Sequence, residues 1–174
     1  MASLESNPQT GYEIARDFDS GVGYFWHATH QQIYRELSKL ADESLVDFEQ
    51  IQQQSKPAKK RYVLNANGRA ALAEWLNATT KLQPIRDPLL VKISAGHLAA
   101  PEKLMAEVRH HRSDFEQRLA VFRKYDSSYR ACEGGTTKQL DYLYLTLRRG
   151  IIVCEGWIQW ADEVLDFLAR EVEH

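Results

Sequence analysis

Gln31, Gln32, Arg35 and Lys39 share one side of a helix-period segment, Thr29 to Leu40, whose other side is Ile33, Leu37 and Leu40. A few residues later Lys56, Lys59, Lys60 and Arg61 crowd one short stretch. A glutamine amide can hold an adenine edge bidentately, a guanidinium can grip guanine, and ammonium groups neutralise phosphates. The chemistry on offer is recognition of a nucleic acid by hydrogen bonds and charge. Each residue also has a plainer reading, the helix side as a solvated face and the cations as a solubilising run. Tyr34 stands between a core ring and a phosphate donor.

The elements that must position these groups are written in their flanks. Thr10-Gly11-Tyr12-Glu13 fits the S/T-x-x-E capping box, in which hydroxyl and carboxylate each satisfy a free N–H at a helix start. That helix should run through Ile14 and Ala15 to about Phe18 and break at Asp19-Ser20-Gly21-Val22-Gly23. After Tyr24-Phe25-Trp26, Thr29-His30-Gln31-Gln32 supplies a second box, S/T-x-x-Q. Two capped helices joined by a glycine turn make a helix-turn-helix. Leu45 to Gln52 then reads as a strand, Ser55 to Lys60 as a basic turn and Arg61 to Leu64 as a second strand, a ribbon with a positive tip. Helix followed by basic ribbon is the winged helix-turn-helix order. It predicts a reading helix over about 29–40 in the major groove and a wing over 53–61 on the backbone of duplex DNA. The candidate DNA contacts are Tyr12, Thr29, His30, Gln31, Gln32, Tyr34, Arg35, Lys39, Lys56, Lys59, Lys60 and Arg61.

Beyond the ribbon, Asn65 can cap a helix containing Ala70, Ala71, Leu72, Trp75 and Leu76, and Thr79 to Gln83 reads as a connection. Pro88 and Pro101 each stand where a helix can begin, since a first-turn N–H is not needed. Helices over roughly 88–97 and 101–131 follow, with Gly134-Gly135 closing the second. The division expected is a winged helix over 1–78 and a helical domain over 87–174. In the last helix Leu140, Leu147, Cys154, Ala161 and Leu168 recur every seven residues, and Tyr144, Ile151, Ile158, Leu165 and Val172 form the companion series. This a/d pattern suits either a helical hairpin within the chain or a seam between two copies. The added apolar width of Trp157, Trp160 and Val164 favours the second. The candidate dimer contacts are Leu147, Ile151, Cys154, Trp157, Ile158, Ala161 and Leu165.

Composition narrows the class. The 174 residues are 44% hydrophobic, enough for one ordinary domain or two small ones, and the net charge of −2 argues against wholesale polyanion binding. Local charge is what counts: from Gln53 to Arg69 there are five cations' worth of Lys and Arg, namely Lys56, Lys59, Lys60, Arg61 and Arg69, and no acid. Cys132 and Cys154 do not make a disulfide framework and suit a reducing compartment. With no signal peptide and no apolar run of bilayer length, the expectation is a cytoplasmic protein. Glu107-x-x-His110 has the spacing of a carboxylate-bridged metal bundle but no second copy, and His27-x-x-His30 and His110-His111 lack a zinc pattern. Nucleophile elbow, P-loop and dinucleotide fingerprint are missing, so the expectation is a protein without enzymatic activity, metal or cofactor.

Gly11-Tyr12-Glu13-Ile14, His30 to Leu37, Lys56 to Tyr62 and Asn67-Gly68-Arg69-Ala70-Ala71-Leu72 together resemble the N-terminal domain of the PadR family of transcriptional regulators. Leu145 to Arg149 and Trp157 to Leu165 resemble the C-terminal part of its virulence-activator branch. The resemblance implies a mostly α fold with a small β-hairpin, an N-terminal winged helix-turn-helix and a C-terminal antiparallel helical dimerisation domain. It implies a homodimer that reads a pseudo-palindromic operator. It also leaves open a repressor sensing a flat aromatic ligand, with Trp26, Trp75, Trp157 and Trp160 as lining, and a helical protein-interaction module without DNA affinity. The family's first helix is longer, so Met1 to Ser6 should be only its end. Ser44 and Ser55 stand where relatives carry glycine, and a positive φ at either would strain serine.

Overall fold

The computed structural model describes residues 1–20, 28–53, 56–82, 84–132 and 135–172. The glycine break at Gly21 and Gly23, the Tyr24-Phe25-Trp26 run, His27, Ser55 and Gly134 lie outside the described residues. The chain divides into two compact units, Met1–Gln83 and Pro84–His174.

The first unit opens with a single 3-10 turn, Ala2–Leu4, rather than the end of a regular helix, and it sinks Leu4 into the core. A two-residue strand β1 (Gln9–Thr10), α1 (Gly11–Ser20), α2 (His30–Asp42), β2 (Val46–Gln53), β3 (Lys56–Leu64) and α3 (Ala66–Asn77) follow. Thr10 and Glu13 form the expected box, Thr10 N–H donating to the Glu13 carboxylate at 2.7 Å and Glu13 N–H to the Thr10 hydroxyl at 3.3 Å. The strands make one antiparallel sheet in the order β1-β3-β2. The apolar sides of α1, α2 and α3 close on it through Ile14, Ala15, Ile33, Leu37, Val46, Tyr62, Leu64 and Leu72.

Two expectations about the ribbon need correction. The second strand begins at Lys56, not Arg61, and Lys59 and Lys60 stand opposite Ile51 and Gln50, inside the ladder rather than in the turn. Backbone pairing is indifferent to exposed charge, and an eight-residue β2 finds a nine-residue partner. Pro57, which has no N–H to give, sits at the bulge between Ile51 and Gln53, beyond the residues that β1 pairs. The sheet also has a third strand, β1, too short to carry any alternation.

α2 ends in a Schellman turn. Ser44 N–H donates to the Ala41 carbonyl at 3.0 Å and Leu45 N–H to the Leu40 carbonyl at 2.9 Å, with Ser44 at φ 55°. Asn65 ties the far end of the ribbon to the same place: its side chain donates to the Ser44 carbonyl at 3.0 Å while its Oδ1 caps α3 through Gly68 N–H. A Cβ at Gly68 would strike the Leu45 carbonyl, so only glycine lets α3 seat there.

The second unit holds α4 (Pro88–Ser94), a 3-10 turn (Gly96–Leu98), α5 (Pro101–Arg130) and α6 (Lys138–Val172). Asp87 caps α4 by accepting from Leu89 N–H at 2.9 Å. α5 and α6 form an antiparallel hairpin, and the middle a/d residues of α6 are buried within their own chain, while Leu140 and Val172 at its ends are exposed. Ile151, Cys154 and Ala161, at 3%, 1% and 0% exposure, are covered within one copy, whereas Leu147, Ile158 and Leu165 are half-buried. Trp157 is engaged likewise, stacked on Phe115 at 4.5 Å. A heptad specifies that a stripe is buried, not by which chain. At the end where the two helices are joined Tyr129 stacks on Tyr144 at 3.8 Å, and Asp126 accepts from Arg130 and from the Tyr144 hydroxyl, bonds that hold its carboxyl below the usual range. Among the described residues no helix is long and apolar enough to cross a membrane.

The strain at Ser44 gives a direct test. A left-handed residue with a Cβ costs about 1–2 kcal/mol, and glycine recovers part of this against its greater unfolded freedom. Ser44→Gly should raise stability by up to about 1 kcal/mol in urea unfolding, while Ser44→Val, β-branched, should lower it.

Candidate nucleic-acid interface

The start of α2 is fixed from both sides. Thr29 N–H donates to Gln32 Oε1 at 2.8 Å and Gln32 N–H donates to Thr29 Oγ1 at 3.2 Å. With Ile33 and Leu37 turned inward, Gln31, Arg35, Ser38 and Asp42 follow at helical spacing on the opposite side, and Lys39 stands beside them; all are exposed. Arg35 approaches Glu36 only at 3.9 Å and Lys39 approaches Glu43 at 3.9 Å, with both cations largely in solvent. Such pairs contribute little. The cations can exchange them for phosphates at small cost.

Tyr34 stands on the flank of α2 nearest α1. Its ring lies against Gly11, where a Cβ would collide with it, and about half of the residue remains exposed. Tyr12 is exposed on the first turn of α1. Burial of the Tyr62 side chain raises its phenol above the ordinary range, and nearby Tyr34 adds to the rise.

The ribbon does not gather its cations on one side. Alternation puts Lys59 and Arg61 on the face opposite to Lys60. Arg61 lies 3.8 Å from Glu49 across the ladder, and Lys60 Nζ sits 4.0 Å above the ring of Phe48, which packs against Tyr62. Lys59 is half-buried, and with Arg61 it adds to the hydrogen bonds from Thr10 that lower the Glu13 carboxyl. The acid-free stretch of sequence thus has Glu49 and Glu13 as spatial neighbours. Lys56 opens β3, and its side chain lies outside the described residues. Phe48 was missed in the sequence, although the alternation Val46, Phe48, Gln50 puts it on the Tyr62 side.

The other chemical candidates are occupied elsewhere. Glu107 bonds Lys92 at 2.7 Å, and His110 faces Asp114 at 3.7 Å. Among the described residues no group of three or more His, Cys, Asp or Glu is placed to hold a metal. Trp157 and Trp160 lie edge to face at 5.3 Å in the second unit, with His111 against Trp157. Trp75 stands exposed on α3 of the first unit, and Trp26 lies outside the described residues.

A helix-turn-helix with its second helix presented outward, followed by a two-stranded ribbon in a β1-β3-β2 sheet, defines the winged-helix class. Residues 1–74 match the transcriptional regulator PadR-like family and residues 85–169 the virulence activator alpha C-terminal family. A probable transcriptional regulator of Mycobacterium tuberculosis is 33% identical, across 98% of this chain and 96% of its own length. The chain belongs to the PadR-like family of transcriptional regulators. The Vibrio cholerae virulence activator AphA superposes with a TM-score of 0.76 at 32% identity, over 98% of this chain and 95% of that one. Bacillus subtilis PadR, solved in complex with operator DNA, superposes with a TM-score of 0.79 at 24% identity, covering 96% of this chain and 95% of that chain. The same protein has also been solved with p-coumaric acid.

Proposed function

We propose that the chain is a homodimeric, sequence-specific DNA-binding regulator, with residues 1–78 reading DNA and 87–174 holding two copies together. The observation that carries this reading is the outward side of α2, where Gln31, Arg35 and Lys39 are exposed on a helix locked at its first turn. That side enters the major groove. Thr29, His30, Tyr12 and Tyr34 lie where the helix approaches the backbone, and Lys56, Lys59, Lys60 and Arg61 carry the wing along it. Work on DNA makes it a cytoplasmic protein without catalytic duty.

The dimer contact moves to a face that the heptad did not mark. Turned away from α5, α6 leaves Leu145, Ile152 and Phe167 at 63%, 59% and 55% exposure, with Gly156 between them and nothing within 4 Å of where its Cβ would stand. Large apolar side chains left exposed opposite a covered stripe, among Arg149, Gln159, Glu163 and Arg170, suit a second partner. A second copy is the occupant that fits, because a two-fold pair of reading helices is what a pseudo-palindromic operator requires. A small aromatic effector is the second reading, favoured by the Phe115, Trp157, Trp160 and His111 rings gathered in the second unit.

The wing is tested by salt. In Lys59→Ala with Lys60→Ala, each lost phosphate contact should make the slope of log affinity against log salt shallower by at most about 0.9, with the cognate-to-scrambled ratio unchanged. An unchanged slope in the folded double variant would assign these lysines to solvent.

The dimer is tested by charge. Ile152→Glu together with Leu145→Glu should leave a folded chain, because neither side chain is buried in one copy, yet light scattering at micromolar concentration should find monomers. A dimer that survives both changes would put the interface elsewhere.

A further inference from the structure

Thr29, Gln31, Gln32 and Arg35 all stand at the leading end of the reading helix, but the structure gives them different work. A bidentate contact to adenine needs the glutamine amide turned outward, its oxygen accepting from the base and its nitrogen donating. The Gln32 amide is turned back over the first turn, with Oε1 2.8 Å from Thr29 N. Gln31 is one residue earlier and about 100° round the helix, exposed and in line with Arg35 at i+4. No side-chain hydrogen bond engages Gln31 among the described residues.

We infer that Gln32 is a positioning residue that sets where the reading helix begins, and that Gln31 and Arg35 determine the sequence preference. This rests on the DNA-reading function proposed above. The box satisfies two N–H groups that the helix leaves free, and it fixes the first turn from which Gln31 projects. Gln32 thus acts through Gln31, without touching a base.

The conservative variant separates the two roles. Gln32→Glu keeps the box, since glutamate fills the same position in S/T-x-x-E, but its carboxylate has no N–H to offer adenine N7. Gln32→Ala removes the side-chain half of the box, the acceptor for Thr29 N–H. Wild type, Gln32→Glu, Gln32→Ala and Gln31→Ala are each used to select duplexes from a randomised pool, and their thermal midpoints are measured without DNA. Gln32→Glu should enrich the wild-type consensus and keep the wild-type midpoint, with affinity reduced alike on all sequences by its added charge. Gln32→Ala should enrich the same consensus, bind every sequence more weakly and melt about 2–4 °C lower. Gln31→Ala should lose preference at one position of each half-site by roughly 5- to 150-fold, the equivalent of about 1–3 kcal/mol.

Loss of a consensus position in Gln32→Glu would overturn the inference, as would a Gln32→Ala midpoint equal to that of wild type. A wild-type protein that enriches no consensus would overturn the DNA-reading function with it. That failure is distinct, because it precedes any comparison between variants.

Discussion

The turn at Ser44 governs the first unit. There α2 ends, the ribbon begins and α3 is anchored, all within reach of the backbone carbonyls of Ser44 and Leu45. The Schellman hydrogen bonds set the angle at which the chain leaves α2, and the left-handed backbone at Ser44 is the cost of that angle. Asn65 returns the second strand to the same point, and Gly68 lets α3 close over it without a side chain in the way. In the proposed function, the reading helix and the wing work as a pair only if the angle between them is constant. One serine, one asparagine and one glycine hold it.

Charge is arranged around this frame so that it is available without being free. Arg35, Lys39 and Arg61 each stand nearly 4 Å from a carboxylate, at distances and exposures where an ion pair contributes little. These carboxylates keep the net charge slightly negative and weaken attraction to any polyanion in general. In the proposed function, phosphates arriving in the right geometry displace these weak partners. Lys60 differs, since its ammonium lies over Phe48, a ring that directs the charge without neutralising it.

Local chemistry was legible in the sequence and tertiary company was not. The boxes at Thr10 and Thr29, the Asn65 cap and the prolines at 88 and 101 announce helix starts because each needs only neighbours three or four residues away. Serine in a glycine position at 44 pointed to a positive φ for the same reason. β1 was invisible, as two residues carry no period. The cations of the ribbon read as a tip because charge resembles a turn, whereas the pairing that draws them into a strand depends on β2. At the candidate interface, the contact of Tyr34 with Gly11 and that of Lys60 with Phe48 join separate elements, and no spacing encodes them. The heptad of α6 marked a stripe that is buried at Ile151, Cys154, Ala161 and Leu168 and exposed at its ends, Leu140 and Val172, and it left the partner unspecified. α5 is that partner, and the exposed apolar side lies opposite.

The central claim is that two copies present their reading helices to one duplex. Hydroxyl-radical footprinting of the wild-type protein on a duplex selected from a randomised pool tests it most directly. The account predicts two equivalent protected patches on one face of the DNA, related by a two-fold axis and separated by a whole number of helical turns, about 10–10.5 base pairs each. Flanking protection on the backbone should mark the wings. A single patch without two-fold symmetry, or uniform protection independent of sequence, would contradict it.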